Sequence, residues 1–260
     1  MYEAVLIAAT GLTNQQRRLD VIANNVANVN SVAYKTVRLD FKDALYTAGV
    51  VPGRPRTPEP NGNQQKGHGV MVTGITKDYR TGSIQTTGRE LDFAIEGEGF
   101  FEIEDIDGSI LYTRNGSFHA DDDGWIVTSD GYWVHDVNGQ KIQAPDGTDR
   151  IIVSIDGRIS FEDDGEVAGT AAFGVYTFRN LMGLESSGNG NYNESVASGE
   201  KIPATVSTGV KIHQGDLEMS NVSLAEEMTR IIRTQRAFQL ASRALKTADD
   251  MEAIANNMRK

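Results

Sequence analysis

Apolar residues recur at heptad spacing at both ends of the chain. In the first 30 residues, the repeated positions are Val5, Leu12, Leu19, Ile22 and Val26. In the last 40 residues, they are Leu224, Met228, Ile231, Phe238 and Leu245. Positions three, four and seven apart share one face of an α-helix, so each end is predicted to form a helix with an apolar seam. Neither helix is apolar enough on all sides to stand alone, and the other terminus is its simplest partner.

Polar residues add detail to both predicted helices. Gln15 and Gln235 lie along the seams, where buried polar side chains fix the register of coiled coils. Asn24 and Asn25 are predicted to face outward. Ser223, followed three residues later by Glu226, matches a capping box and predicts that the C-terminal helix starts there.

The pattern changes between the two ends. From about residue 70 to residue 215, apolar and polar residues alternate as they do in half-buried strands. Asp-Gly pairs, which favour hairpin turns, interrupt this alternation at 107–108, 123–124, 130–131, 156–157 and 164–165. These signals predict an all-β middle. The glycine-rich residues 183–199 are predicted to form a long loop, and the proline-rich residues 50–68 a loop or linker.

The predicted fold class is therefore mixed α and β. Long N- and C-terminal helices pair as a coiled-coil-like α domain around a central all-β domain. In this interpretation, residues 1–45 with 217–260 form a discontinuous terminal assembly domain, residues 46–70 a linker or extended loop, and residues 71–216 the central β domain. A chain of 260 residues is long enough to bury cores in both domains.

The net charge of −11 is unevenly distributed. Residues 1–89 carry 11 Lys/Arg against 6 Asp/Glu, residues 90–170 carry 4 against 20, and residues 171–260 carry 10 of each. The acidic middle would repel phosphate, so nucleic acid is not an expected partner. The chain has no cysteine, which excludes disulfides and thiolate chemistry. The N-terminus does not match a cleaved signal peptide, and no stretch reaches the roughly 20 apolar residues of a membrane span.

No catalytic constellation or metal site is predicted. The acidic turn at 119–130 lacks the first ligand of a calcium-binding loop and is imperfect at the last, where Asp130 replaces the usual Glu. Glu96 and Glu98 alternate with glycines, and nothing nearby indicates a cleft for a sugar. The histidines are scattered without ligand spacing, at His68, His119, His135 and His213. No cofactor and no small-molecule substrate are expected.

Several long motifs, in order along the chain, carry a family resemblance. They are GLTNQQRRLDVIANNVANVNSVAYK, LDFAIEGEGFFEI, YTRNGSFHADDDGWIVTSDGYWV and GDLEMSNVSLAEEMTRIIRTQRAFQLASRALKTADDM. These motifs resemble the signatures of the bacterial flagellar basal-body rod and hook protein family. The chain is shorter than a typical hook protein, and GHGVMVTGITKDYRTGSIQTTG most resembles the distal rod members. Proximal rod or hook-type axial proteins are the alternative.

The resemblance implies a structural subunit and not an enzyme. Such subunits assemble helically with copies of themselves into a hollow drive shaft, which transmits torque from motor to hook and lines the export channel. Implied partners are other rod proteins, the hook protein, the surrounding ring proteins and the flagellar type III export apparatus. Export by that apparatus would bring the chain to the periplasmic space of the basal body without a cleaved signal peptide.

The resemblance also concerns three local positions. Phe41 and Leu45 match an export motif of Phe followed four residues later by an apolar residue, with a short amphipathic turn as an equal alternative. Ala33 stands where the family usually has the Gly that follows a helix, so either the backbone differs there or Ala33 is strained. His68 stands where a small hydroxyl residue is more common.

The seam residues have two interpretations. They form the internal core of a two-helix hairpin, or they contact neighbouring subunits, because a two-helix unit cannot bury both of its flanks. We expect both, with Phe238 and the Leu and Ile positions as anchors. A more remote alternative for the whole chain is a secreted β-domain enzyme or a calcium-dependent adhesin, which only the acidic middle favours.

Overall fold

The chain folds into two compact units in the computed structural model. The structure describes residues 2–44, 46–48, 65–67 and 69–258. The terminal unit lies within residues 1–27, 37–76 and 223–260. The β unit comprises residues 28–36 and 77–222. The prediction of two terminal helices flanking a central β-rich domain is confirmed.

Both helices lie in the terminal unit. They are α1 (Tyr2–Ala27) and α2 (Leu224–Asn257). The strands of this unit are β1 (Val37–Asp43), β2 (Tyr46–Ala48), β3 (Gln65–Gly67) and β4 (Val70–Lys77). Strand β1 pairs with β4, and β2 pairs with β3. Helix α2 begins directly after Ser223, where the capping box predicts its start.

The β unit consists of short strands and two short 3₁₀ helices, Leu181–Gly183 and Val206–Thr208. Its first strands are β5 (Ile84–Thr86), β6 (Phe93–Glu96), β7 (Phe100–Glu104), β8 (Ile110–Thr113), β9 (Phe118–Ala120), β10 (Ile126–Thr128), β11 (Trp133–Val134) and β12 (Arg150–Val153). The later strands are β13 (Arg158–Asp163), β14 (Glu166–Ala172), β15 (Val175–Thr177), β16 (Glu185–Gly188), β17 (Asn191–Asn193), β18 (Ile202–Pro203), β19 (Lys211–Gln214) and β20 (Asp216–Glu218).

One large antiparallel sheet organises the β unit. Its strand order is β16-β17-β8-β7-β11-β10-β9, and β15 joins β7 to β18. A three-stranded sheet, β12-β13-β14, and the pairs β19-β6 and β20-β5 complete the unit. Every predicted Asp-Gly turn connects two neighbouring antiparallel strands, as in β7-β8 and β13-β14. The glycines of these turns have positive φ, the conformation for which glycine is favoured.

Aromatic side chains form the core of the β unit. Phe93, Phe101 and Phe118 have no exposed surface, and Phe173 is 5% exposed. The Phe93 and Phe173 rings lie 4.9 Å apart between centroids, and the Phe101 and Phe118 rings 5.2 Å apart. Edge-to-face packing of this kind adds about 0.5–1.5 kcal/mol per pair to the burial of apolar surface.

A buried ion cluster lies in the same unit. The Lys35 Nζ donates to Glu218 Oε1 at 2.6 Å, and the Arg114 Nε donates to Glu218 Oε2 at 2.8 Å. Arg114 also donates to the carbonyl oxygens of Ile95, Gly97 and Gly99. Burial and the Arg114 charge lower the pKa of Lys35 to about 8. For Glu218, burial raises the pKa, but the Arg114 and Lys35 charges outweigh it and hold the pKa below its ordinary value.

The prediction of a long loop over 183–199 is wrong in part. Strands β16 and β17 form a hairpin there, with Asn189 in its turn at φ 50°.

The backbone at Ala33 is strained, which is one of the two alternatives predicted for this position. Ala33 is 5% exposed and adopts φ 56°. A left-handed conformation of this kind costs an L-residue roughly 1–2 kcal/mol. His68 lies outside the described residues.

Candidate assembly surface

The two helices of the terminal unit pack against each other, and α1 also contacts β1. The buried face of α2 repeats every seven residues, at Glu227, Thr234, Ala241 and Ala248. Of these, Glu227, Thr234 and Ala248 are 1%, 2% and 8% exposed. This repeat is made of small or polar residues and runs beside the predicted apolar seam.

The predicted seam residues therefore differ in their surroundings. In α1, Ile22 is buried, and the half-buried members are Val5, Leu12, Leu19 and Val26. In α2, Ile231 and Leu245 are half-buried. The exposed members are Leu224 at 46%, Met228 at 45% and Phe238 at 36%. The predicted role of these residues in assembly stays a prediction.

The possible export motif is described only at its first residue. Phe41 lies in strand β1 and is half-buried, and the guanidinium of Arg18 lies 5.7 Å from its ring centroid. A strand, and not an amphipathic turn, therefore carries Phe41. Leu45 lies outside the described residues.

Asparagines on α1 hold the strands of the terminal unit. The prediction that Asn25 faces outward is wrong, because Asn25 is 1% exposed. Its Nδ2 donates to the Val37 carbonyl at 2.9 Å, and its Oδ1 accepts from the Val37 N–H at 3.0 Å. Asn14 Nδ2 donates to the Val70 carbonyl at 2.5 Å. Residues eleven apart complete about three helical turns, and that spacing of Asn14 and Asn25 is the signal that identifies one polar face.

Large apolar residues remain exposed along the terminal unit. On α2 and directly after it they are Leu224, Met228, Ile232, Phe238, Leu240, Met251, Ile254 and Met258, with exposures from 36% to 82%. On the other elements they are Leu6, Val70, Met71 and Ile75, with exposures from 40% to 64%. Exposed apolar residues that follow one another along a single helix, as on α2, are typical of protein contact sites.

The titratable cluster around His135 in the β unit is an ion network. His135 is 3% exposed, with Nδ1 3.2 Å from Glu102 Oε1 and Nε2 2.8 Å from Glu104 Oε2. Lys201 pairs with Glu102 and Lys141 with Glu104, so each carboxylate has a second cationic partner. Burial raises the pKa of Glu104, but hydrogen bonds from His135 and Lys141 outweigh it and lower that pKa. The arrangement balances charge and leaves no free nucleophile or base.

Within the described part of the chain, no group of three or more His, Cys, Asp or Glu side chains is arranged to hold a metal ion. Neither of the two described helices combines the length and the apolarity that crossing a membrane requires.

Three protein-family models match the chain in order. The model described as "Flagella basal body rod protein" matches residues 6–35. The model described as "Flagellar hook protein FlgE/F/G D1 domain" matches residues 94–161, and "Flagellar basal body rod FlgEFG protein C-terminal" matches residues 213–258. The matched segments contain most of α1, strands β7 to β11 of the large sheet, and α2.

Full-length relatives agree with these matches. The chain is 38% identical to "Flagellar basal-body rod protein FlgG" of Borreliella burgdorferi, over all of both chains. It is 36% identical to the protein of that name in Bacillus subtilis, again over all of both chains. The chain belongs to the flagellar basal-body rod protein family. It is also 36% identical to FlgG of Agrobacterium fabrum, over 97% of this chain and 98% of that one.

Membership in the rod family makes the chain a structural protein of the flagellar basal body, most like the distal rod proteins. The names of these relatives describe rod proteins, and none describes an enzyme. The buried ion cluster takes one residue from each matched segment of the family. Lys35 comes from the first, Arg114 from the second and Glu218 from the third.

Proposed function

We propose that this rod protein is an axial subunit of the distal rod that assembles helically with copies of itself into a hollow drive shaft. The shaft transmits torque from motor to hook and lines the export channel. One observation carries the proposal: α2 exposes large apolar side chains on both sides of the face that packs against α1. Within one copy, these side chains remain in contact with water.

The positions of the apolar residues favour neighbours on two sides. At 3.6 residues per turn, Leu224 lies about 90° to one side of the buried face of α2. Leu240 and Met251 lie about 90–110° to the other side. A helix with two apolar flanks packs between two neighbours through different surfaces. Contacts of that kind are head-to-tail, and they build an open helical filament when the rotation from one copy to the next does not close into a ring.

The predicted seam supplies the contacts within and between copies. Ile231 and Leu245 extend the buried face of α2, whereas Leu224, Met228 and Phe238 are available to a second copy. Coiled-coil-like pairing of α1 and α2 is part of this proposal, with the paired helices lining the channel. The interdigitated helices would carry torsional load, and a rigid β layer would resist bending.

The partners follow from the same proposal. They are copies of this chain, other rod proteins, the hook protein and the surrounding ring proteins. The chain would reach the periplasmic part of the basal body through the flagellar type III export apparatus. In this role the protein has no catalytic activity and binds no nucleic acid and no small-molecule substrate.

Electron cryomicroscopy of intact basal bodies, from cells in which this chain is the sole copy of its kind, tests the proposal. We expect density for the chain along the rod, with α1 and α2 innermost. Density at the proximal end only would favour the proximal rod alternative. Absence of the chain from the axial structure would overturn the proposal. Calcium titration and assays on peptidoglycan test the adhesin and enzyme alternatives.

A further inference from the structure

The middle of α2 carries unbalanced positive charge. Residues 228–248 contain five Lys/Arg and no Asp/Glu. Arg230 is held by Glu226 and Glu227 at 3.3 and 2.6 Å. The other four, which we name the cationic face, are Arg233, Arg236, Arg243 and Lys246. All four are exposed, and none forms an ion pair with a residue that the structure describes.

The buried heptad positions determine the direction of this face. Arg236 and Arg243 follow the buried-face residues Thr234 and Ala241 by two positions each, which is about 200° around the helix. Lys246 precedes the buried Ala248 by two positions and also lies opposite α1. Arg236, Arg243 and Lys246 therefore point away from the partner helix, and Arg233, one position before Thr234, lies about 100° from the buried face.

The middle stretches of the two helices offer this face no compensating charge. Residues 4–19 of α1 include Arg17 and Arg18 but no acidic residue, and the acidic residues of the helices lie nearer their ends, at Glu3, Asp20, Glu226, Glu227, Asp249, Asp250 and Glu252. Copies packed with these middle stretches in contact would bring arginines together without carboxylates between them. Like charges repel within a screening length of about 8 Å at physiological salt. The cationic face is therefore disfavoured in a contact between those stretches and suits a surface that water or an acidic partner reaches.

We propose that the cationic face lines the axial channel of the assembled rod and binds acidic segments of unfolded polypeptide passing through it. This inference rests on the proposed rod function. The chain itself supplies the complementary charge, since its residues 90–170 carry 20 Asp/Glu against 4 Lys/Arg. In transit as an unfolded polypeptide, a further copy would present that long anionic stretch to the lining.

The expected binding is weak at each contact. An exposed ion pair contributes less than about 1 kcal/mol, and salt screens it. Repetition of the cationic face along the channel multiplies the contacts. Weak, repeated contacts retain a segment near the wall without arresting it.

An anionic membrane is a different partner for a basic helix, and the residue pattern does not favour it. Helices that lie in a membrane interface have a broad apolar face opposite their basic one. In residues 233–246, Leu240 lies among the arginines, while Phe238 and Leu245 lie toward α1. No broad apolar face is left for lipid in this stretch.

An export experiment tests the proposal. The variant carries Arg233→Gln, Arg236→Gln and Arg243→Gln. The control carries Arg150→Gln, Arg158→Gln and Lys211→Gln, which removes equal charge from exposed positions of the β unit. Each is the sole copy in a flagellated cell. The measured quantity is the export rate of an unfolded reporter fused to residues 90–170, relative to the same reporter with its Asp and Glu changed to Asn and Gln.

We expect rods in all three strains. The ratio of acidic to neutral export should change at least about three-fold in the variant, and remain at the wild-type value in the control. An unchanged ratio in the variant would overturn the inference. Loss of rods in the variant alone would also overturn it, because the face would then lie in a subunit contact. Failure of the wild-type chain to enter rods would instead refute the proposed function.

A vesicle assay separates the membrane alternative. The full chain and its variant are sedimented with phosphatidylserine vesicles and with uncharged phosphatidylcholine vesicles. We expect no sedimentation with either. Sedimentation with phosphatidylserine vesicles that the arginine substitutions abolish would assign the face to an anionic membrane and overturn the inference.

Discussion

The two units of this protein differ in how fully a single copy buries a core. The β unit buries Phe93, Phe101 and Phe118 completely, and Glu218 and His135 in its interior have ionic partners. Among the described residues of the two helices, Ile22 and Ala248 are the buried apolar side chains, while large ones such as Leu240 remain in water. The β unit thus has an aromatic core of its own, whereas under the proposed function the helices bury their apolar side chains against neighbouring copies.

Buried polar groups show a weaker contrast. Arg114, in the β unit, forms four hydrogen bonds with Glu218 and backbone carbonyls. Among the described residues, Gln15 Oε1 and Glu227 Oε2 on the helices and Asp92 Oδ1 in the β unit are buried without a hydrogen-bond partner. Buried acceptors without partners are costly, so the helices, which hold two of the three, gain from further contacts.

The largest expected effect is the loss of assembly on introducing a charge into the seam. Ile231→Asp places a carboxylate on a half-buried position of α2, where burial disfavours it. We expect rods to be absent, while the melting temperature of the β unit stays within about 2 °C of wild type. Electron microscopy of basal bodies and thermal melts provide the two readouts.

The matched control is Ile155→Asp, the same change at a position of the β unit that is 58% exposed. We expect normal rods with this variant. If Ile231→Asp also supports normal rods, the terminal unit does not depend on its seam, and the comparison between the units fails.

Two phenylalanines provide a sharper contrast. Phe101→Ala empties a fully buried site and should lower the free energy of unfolding of the β unit by about 3–5 kcal/mol. Phe238→Ala, at a site 36% exposed, should lower the stability of the single copy by less than about 1 kcal/mol but impair rod assembly. Urea unfolding and counts of rods per cell measure both. Equal losses of stability at the two sites would contradict the contrast.

The buried ion cluster predicts how stability depends on pH. The lowered pKa of Glu218 means that its contribution is present above the ordinary value of 4.5 and is lost as the pH falls through the folded value. Lys35 has the opposite consequence, because its pKa of about 8 lies below the ordinary 10.5. The folded state then binds this proton less readily than the unfolded state, so stability should rise between about pH 8 and 10.5, by roughly 3 kcal/mol.

Urea unfolding of the full chain from pH 3 to pH 10 measures both the loss of stability in acid and its rise in alkali. Glu218→Gln should remove most of the acid-side loss and cost about 3–5 kcal/mol at neutral pH, because two cations are left buried without a carboxylate. Lys35→Met should remove the alkaline rise. An alkaline rise that persists in Lys35→Met would assign it to another group.

The local features of the fold were predictable because their causes are local. Asp-Gly turns and heptad spacing each act within a few residues, and both helices and the hairpins appear where those patterns lie. The ion cluster was not predictable, because Lys35 and Glu218 are 183 residues apart in the chain. Asn25 is buried because it forms hydrogen bonds with the backbone of Val37 in strand β1, and the heptad pattern of the helix does not indicate this contact.

The assembly surface was predictable in part. Heptad spacing identified both helices. In the structure, however, the face of α2 that packs against α1 is formed by Thr234, Ala241 and Ala248 and not by the predicted apolar seam. Small residues let two helices approach closely, which places the larger Leu and Met side chains at the flanks. The period of a pattern is thus visible in sequence, whereas the face that a single copy buries depends on the size of the side chains.

The smallest expected effect concerns Ala33. Ala33→Gly removes the strain of φ 56° but also adds freedom to the unfolded chain, so the β unit should gain about 0.5–1 kcal/mol. Urea unfolding of the full chain measures this change. Lower stability of the variant would mean that the buried Ala33 methyl group contributes more than its backbone conformation costs.

Hydrogen exchange, measured by mass spectrometry on the dilute chain and on isolated rods, tests the central claim most directly. We expect β6, β7 and β8 to be strongly protected in both samples. We expect α1 and α2 to exchange quickly in the dilute chain and to become protected only in rods, where neighbouring copies would complete their packing. Strong protection of residues 2–27 and 224–257 in the dilute chain, equal to that of the β unit, would contradict the account.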